Sequence, residues 1–142
     1  MPARSRWRAK PRDPGVTNTA RRRAAVRRGR WAERLAACWL IAKGYRILDR
    51  NQRTPFGEID LVARRGRLVA LVEVKARVSR ADALEALRPI QQQRIARAGA
   101  WYVARRPALQ GLDVRCDLVV VPAWRRPIHL VDAWRRVDDP GY

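Results

Sequence analysis

The segment GEIDLVARRGRLVALVEVKAR, residues 57–77, constrains the fold more than any other part of the chain. Two strand-like runs, 57–64 and 68–77, flank Arg65-Gly66-Arg67, which is the pattern of an antiparallel hairpin. Side chains two apart on a strand share a face, so Glu58 goes with Asp60, and Glu73 with Lys75. Ile59 and Leu61, and likewise Val72 and Val74, are expected on the opposite, apolar face. The turn decides whether the polar faces coincide. If Gly66-Arg67 are the central residues of a two-residue turn, with Gly66 supplying positive φ, Asp60 stands opposite Glu73 and Glu58 opposite Lys75. A turn centred on Arg65-Gly66 makes Asp60 and Glu73 diagonal neighbours on one face. A three-residue loop without a bulge separates them.

Carboxylates that meet beside an apolar run repel one another, and partial burial makes the conflict worse. A bound dication relieves it, and hard oxygen ligands suit Mg²⁺ or Mn²⁺. Lys75 then stands ready to position a water or steady phosphoryl charge, and the implied reaction is phosphodiester hydrolysis. The competing reading is an ordinary salt-bridged sheet face, since Glu-x-Lys is common in strands. Glu33 is a candidate third carboxylate, although a helix-surface Glu among arginines is commonly an ion-pair partner.

Around the hairpin the pattern is α/β. Residues 19–43 read as a helix with Trp31, Leu35 and Trp39 at four-residue spacing, Thr17 or Thr19 as cap and Gly44 as terminator. A strand follows at 45–51, then a turn at Thr54-Pro55. After the hairpin come a short helical turn at 81–87 and a longer helix started by Pro89, reaching Arg105 and burying Ile90, Ile95, Ala98 and Tyr102. The near-continuous apolar run 114–121 predicts a covered strand. A short strand at 128–131 and a helical turn at Ala133-Trp134 end the chain. The order α-β-β-β-α-β-β describes an α/β sandwich around a mixed central sheet.

The net charge is +19, and 29 of the 32 bases are arginine, which points to a polyanionic partner, namely nucleic acid. Arginine bias from base composition is the plainer explanation. Residues 1–30 hold eleven bases and one acid. A disordered basic arm is expected over 1–18, ahead of one domain over 19–142; the arm is either a tether for nucleic acid or ribonucleoprotein, or a dispensable extension. Two cysteines and one histidine cannot furnish a four-ligand zinc site. The longest apolar run, LAACWLIA at 35–42, is too short to span a membrane, and MPARSRWRAKPRD does not resemble a secretion signal. A reducing, cytoplasmic setting is expected. Trp31 and Trp39, at helical spacing, are expected in the core, whereas Trp124, between arginines in PAWRRP, is the base-stacking candidate.

Residues 57–77 also closely resemble the signature of the YraN-like family of small bacterial proteins, related to the Holliday-junction-resolvase-like branch of the PD-(D/E)xK nuclease superfamily. The resemblance extends over roughly residues 28–134, through Gly29 and Glu33, Gly44-Tyr45 and Asn51, and Arg115, Asp117 and Val119. It implies a restriction-endonuclease-like fold, with metal-binding carboxylates at Asp60 and Glu73, the helix glutamate at Glu33, the catalytic lysine at Lys75, and Glu58 as an accessory group. The implied substrate is DNA, branched or damaged forms included, and resolvase-like relatives suggest a homodimer. Arg77, Arg94 and Trp124 are the candidate nucleic-acid contacts. Gln91-Gln92-Gln93-Arg94 departs from the family's basic KQRR-like stretch, which weakens the case for that helix as a phosphate-binding surface. A nucleic-acid-binding module that retains the fold without cutting is the alternative function.

Overall fold

Gly66 takes φ +59 at the hairpin tip, while Arg67 keeps negative φ. The turn is therefore the two-residue Gly66-Arg67 form, and the register runs from Arg65 opposite Leu68 to Leu61 opposite Val72. Residues 18–134 are described by the computed structural model. The expected arm lies outside the described residues apart from Asn18, as do Thr17 and residues 135–142. The elements are α1 (Asn18–Ala42), β1 (Arg46–Thr54), β2 (Gly57–Arg65), β3 (Leu68–Lys75), α2 (Arg80–Ala86), α3 (Pro89–Ala104), β4 (Asp113–Val120) and β5 (Ile128–Trp134).

The five strands lie in sequence order, antiparallel except for the β3–β4 pair. That parallel step requires a crossover, which α2 and α3 supply. Helix α3 covers one face over Val62, Leu71, Leu118 and Val120; α1 covers the other over Leu61, Ala70, Val72 and Val119. The result is the expected mixed α/β architecture, with β3 and β4 buried between the helices.

Helix α1 buries Ala32, Ala36, Ala37 and Leu40 against the sheet, and of the expected Trp31-Leu35-Trp39 stripe Leu35 packs there, half-buried. Trp31 is 56% exposed, so the expectation that it belongs to the core is corrected. Small side chains bring the backbone down onto the sheet, and the large ones are displaced to the flanks. The helix ends at Gly44, φ +90, where Tyr45 N donates to Leu40 O and Gly44 N to Ile41 O, with Tyr45 and Leu40 buried in one cluster.

Helix α3 begins at Pro89 as expected and buries Ile95, Ala98, Gly99 and Tyr102, but Ile90 is 58% exposed and leaves the expected stripe. Ile90 sits in the first turn, before the helix reaches the sheet. Ala133 and Trp134 are in β5, not in a helical turn. Trp134 pairs with Cys116 of β4, is buried, and donates its indole N–H to Gln92 O at 3.2 Å, which favours the extended chain there.

Candidate active site

Strands β2 and β3 part after Leu61 and Val72. Beyond that point β2 stays with β1 as far as Gly57 opposite Thr54, while β3 stays with β4 as far as Lys75 opposite Val120. In the fork, Asp60 Oδ2 accepts the Val74 amide at 2.8 Å, so a carboxylate replaces the missing strand partner. The parting also overturns one expected pair: Glu58 does not face Lys75, but stands opposite Arg53, 4.0 Å from its guanidinium, and is exposed.

Strict alternation fails at the same place. Ile59 packs on the α3 side and Leu61 on the α1 side, so the two do not share the expected apolar face. Across from Asp60, between the pairs Arg50–Leu61 and Gln52–Ile59, Asn51 adopts φ +48. The conformation aims the Asn51 amide at α1, where it donates to Glu33 Oε2 at 3.1 Å.

Glu73 is 5% exposed and sits in contact with Asp60. Its Oε1 receives the Gln91 amide at 2.8 Å and lies 3.2 Å from Lys75 Nζ, which in turn reaches Gln91 Oε1 at 3.5 Å. Burial first, and then the Glu73 charge, push the Asp60 carboxyl up to about 7, against the pull of the Val74 amide and Lys75. Burial also raises Glu73, in spite of Lys75. Both carboxyl groups are thus held above their ordinary range. Glu33 is raised chiefly by burial, with the Asn51 hydrogen bond opposing and the charges of Asp60 and Glu58 adding.

Asp60, Glu73 and Lys75 are thus brought together, whereas Glu33 stands at longer range on the far side of Asp60. Among the described residues no three His, Cys, Asp or Glu side chains gather closely enough to hold a metal ion by themselves. Glu33, Asn51 and Glu58 border an open, polar cleft of about 450 Å³ together with Gly29 and Arg30. Arg77 is exposed just beyond β3, Arg94 is exposed on α3, and Trp124 is fully exposed between β4 and β5 with φ +61. Gln91 and Asn51 are the residues that sequence reasoning missed as parts of the site. Both are neutral amides; the one signal for Gln91 was a polar triplet opening a helix that should otherwise pack on the sheet.

A second polar cluster is fully satisfied internally. Asp117, with no exposed surface, accepts two 2.7 Å bonds from Arg115, a 2.8 Å contact from His129 Nε2 and the Asp132 amide at 3.0 Å. Burial opposes its ionisation, but these donors outweigh burial and hold the carboxyl below its usual range. His129 is therefore a structural link between β4 and β5, and neither exposed Cys38 nor buried Cys116 is in a disulfide.

The model of the uncharacterised protein family UPF0102 matches residues 32–121. The chain belongs to this family. UPF0102 is the YraN-like group that the sequence resembles. A UPF0102 protein of Maricaulis maris is 53% identical over 82% of this chain and 91% of its own length. One from Paramagnetospirillum magneticum is 54% identical over 79% and 90%, and one from Parvibaculum lavamentivorans 50% identical over 88% and 94%. The UPF0102 match runs from Ala32 to Val121, and so takes in Glu33, Asn51, Asp60, Glu73, Lys75 and Gln91.

Proposed function

We propose that this UPF0102 protein is a divalent-metal-dependent nuclease that hydrolyses phosphodiester bonds in DNA, with branched or damaged DNA among its substrates. The observation that carries the proposal is the contact of a buried carboxyl group, Glu73, with a half-buried one, Asp60, in a fork of the sheet with Lys75 Nζ 3.2 Å from Glu73. Structural ion pairs balance their charges, whereas here two acids face one lysine and Asp60 is held near neutrality.

The donor set fits Mg²⁺ or Mn²⁺: carboxylate oxygens, from buried Glu73 and half-buried Asp60. Asp60 and Glu73 would hold the ion, with Glu33 at the cleft side. When bound, it supplies Lewis-acid polarisation of the scissile phosphate and a more acidic water. Gln91 fixes the rotamer of Glu73 through its amide. Lys75, already paired with Glu73, holds its ammonium where it can orient a water or balance charge developing on phosphorus. Asn51 fixes Glu33. The reading puts the protein in the cytoplasm beside its substrate, which two cysteines outside any disulfide suit, and includes a homodimer. Among the described residues no helix is long and apolar enough to cross a membrane.

The test is incubation of the full-length chain with linear, single-stranded and four-way-junction DNA, with Mg²⁺, Mn²⁺ or EDTA. Metal-dependent cleavage lost in Asp60→Ala and Lys75→Ala is expected. Cleavage that survives both changes, or none with any metal, removes the enzyme. The second reading, a binding module that does not cut, draws on the same acids lacking a third close carboxylate. Salt-sensitive DNA binding with no hydrolysis and no heat of metal binding would select it.

A further inference from the structure

Trp31 stands half exposed on α1, and beside it a groove of about 290 Å³ opens between that helix and the chain leaving β3 and β4. Buried Ala32 and Val121 form its floor, Trp31 and exposed Ala123 flank it, and its charged lining is Arg28 and Arg77 against one acid, Asp82, which is engaged by Ser79 at the start of α2. Ala76 and Arg77 of the groove directly follow Lys75 in the chain, with Ala76 on the α1 face of the sheet and Lys75 turned to Gln91 of α3. Helix α1 thus carries Glu33 towards the polar cleft and Trp31 towards the groove.

An apolar floor with an aromatic wall selects a flat, weakly polar body, and two guanidinium groups at the mouth select an anionic tether. A nucleobase on its phosphodiester backbone has both. The volume lies at the lower end of small-ligand pockets, which suits a single base and is too small for a folded element. Bases inside a duplex are stacked and cannot enter, so the base must come from an unpaired stretch. We infer that the Trp31 groove receives an unpaired nucleobase of the strand whose phosphate lies at Asp60 and Glu73. The substrate class is then DNA with single-stranded nucleotides next to the scissile bond. The inference rests on the nuclease reading for the position of the strand, but base capture itself does not require cleavage.

The experiment separates the two. Full-length protein is held in EDTA, and binding is followed by anisotropy of a labelled single-stranded oligonucleotide, its abasic counterpart with the same phosphates, and a duplex. Bases are expected to strengthen single-strand binding roughly 5- to 100-fold over the abasic strand. Trp31→Ala should remove that difference, and Trp31→Phe should keep most of it. Ala123→Leu, an exposed change that fills the groove, should remove it without reliance on α1. Base discrimination unaltered in Trp31→Ala and Ala123→Leu overturns the inference. So does an equal loss on base-bearing and abasic strands, or a lowered melting temperature without DNA and no change in discrimination, which would assign the groove to a segment of the chain itself. Absence of metal-dependent cutting, with base discrimination intact, would sink the nuclease and leave the groove.

Discussion

Asp60 is subject to opposing demands: the fork needs an acceptor for the Val74 amide, yet burial beside Glu73 penalises the charge that makes a carboxylate a good acceptor. Its carboxyl is pushed from an ordinary 3.8 to about 7, so the folded form retains a proton that the unfolded form releases. The stabilisation is complete below pH about 4 and lost as pH rises through about 7, with a ceiling on the order of 4 kcal/mol. In EDTA the melting temperature of the wild type should therefore fall more steeply from pH 4.5 to 8 than that of Asp60→Asn. Mg²⁺ at pH 8 should restore it in the wild type alone. Parallel pH curves for the two proteins would show that Asp60 is not strained. Gln91 acts one step away, through Glu73 Oε1 at 2.8 Å. Gln91→Ala should weaken Mn²⁺ binding or cleavage about 10- to 100-fold, whereas Lys75→Ala should slow cleavage about 10²- to 10⁴-fold with Mn²⁺ binding retained. Calorimetry beside single-turnover cleavage distinguishes these outcomes.

At the scale of elements, the hairpin was legible because one residue type decides it: Gly66 supplies positive φ and fixes the register that faces Asp60 towards Glu73. The fork was not legible. It arises because β1 holds the end of β2 and β4 holds the end of β3, and pairing preferences among strands distant in sequence leave no local pattern. Within β3 alternation sufficed to put Lys75 beside Glu73, but across the fork Glu58 was given the wrong neighbour. The face of α1 was misjudged because periodicity weights large apolar residues, while close approach to a sheet selects alanine. Close approach recurs in α3, where a Cβ at Gly99 would stand 1.9 Å from Leu71 Cδ1 and 3.0 Å from its Cγ. Leu71 has no exposed surface and little room to turn. Gly99→Ala should cost about 1–3 kcal/mol in spite of alanine's better helix propensity, read as a fall of several degrees in melting temperature. An unchanged or raised melting temperature would mean that α3 sits further from β3.

For the whole molecule, charge divides the work between recognition and chemistry. On the proposed reading, the surface of a chain with net charge +19 draws a polyanion, while the two acids of the fork take a dication. Residues 1–17 hold five bases and one acid, and deleting them lowers the net charge to +15. If each of those five bases meets a phosphate, the slope of log affinity against log salt should become shallower by about 4.5, from ~0.9 per contact. Binding should then weaken most at low salt. The cleavage rate at saturating DNA should not change, because Asp60, Glu73, Lys75 and Gln91 all belong to β2, β3 and α3. A slope unaffected by the deletion would assign the phosphate contacts to the folded part, where Arg28 and Arg77 flank the Trp31 groove. A lost cleavage rate at saturation would instead mean that residues 1–17 take part in the chemistry, and the separation of charge from catalysis would fail.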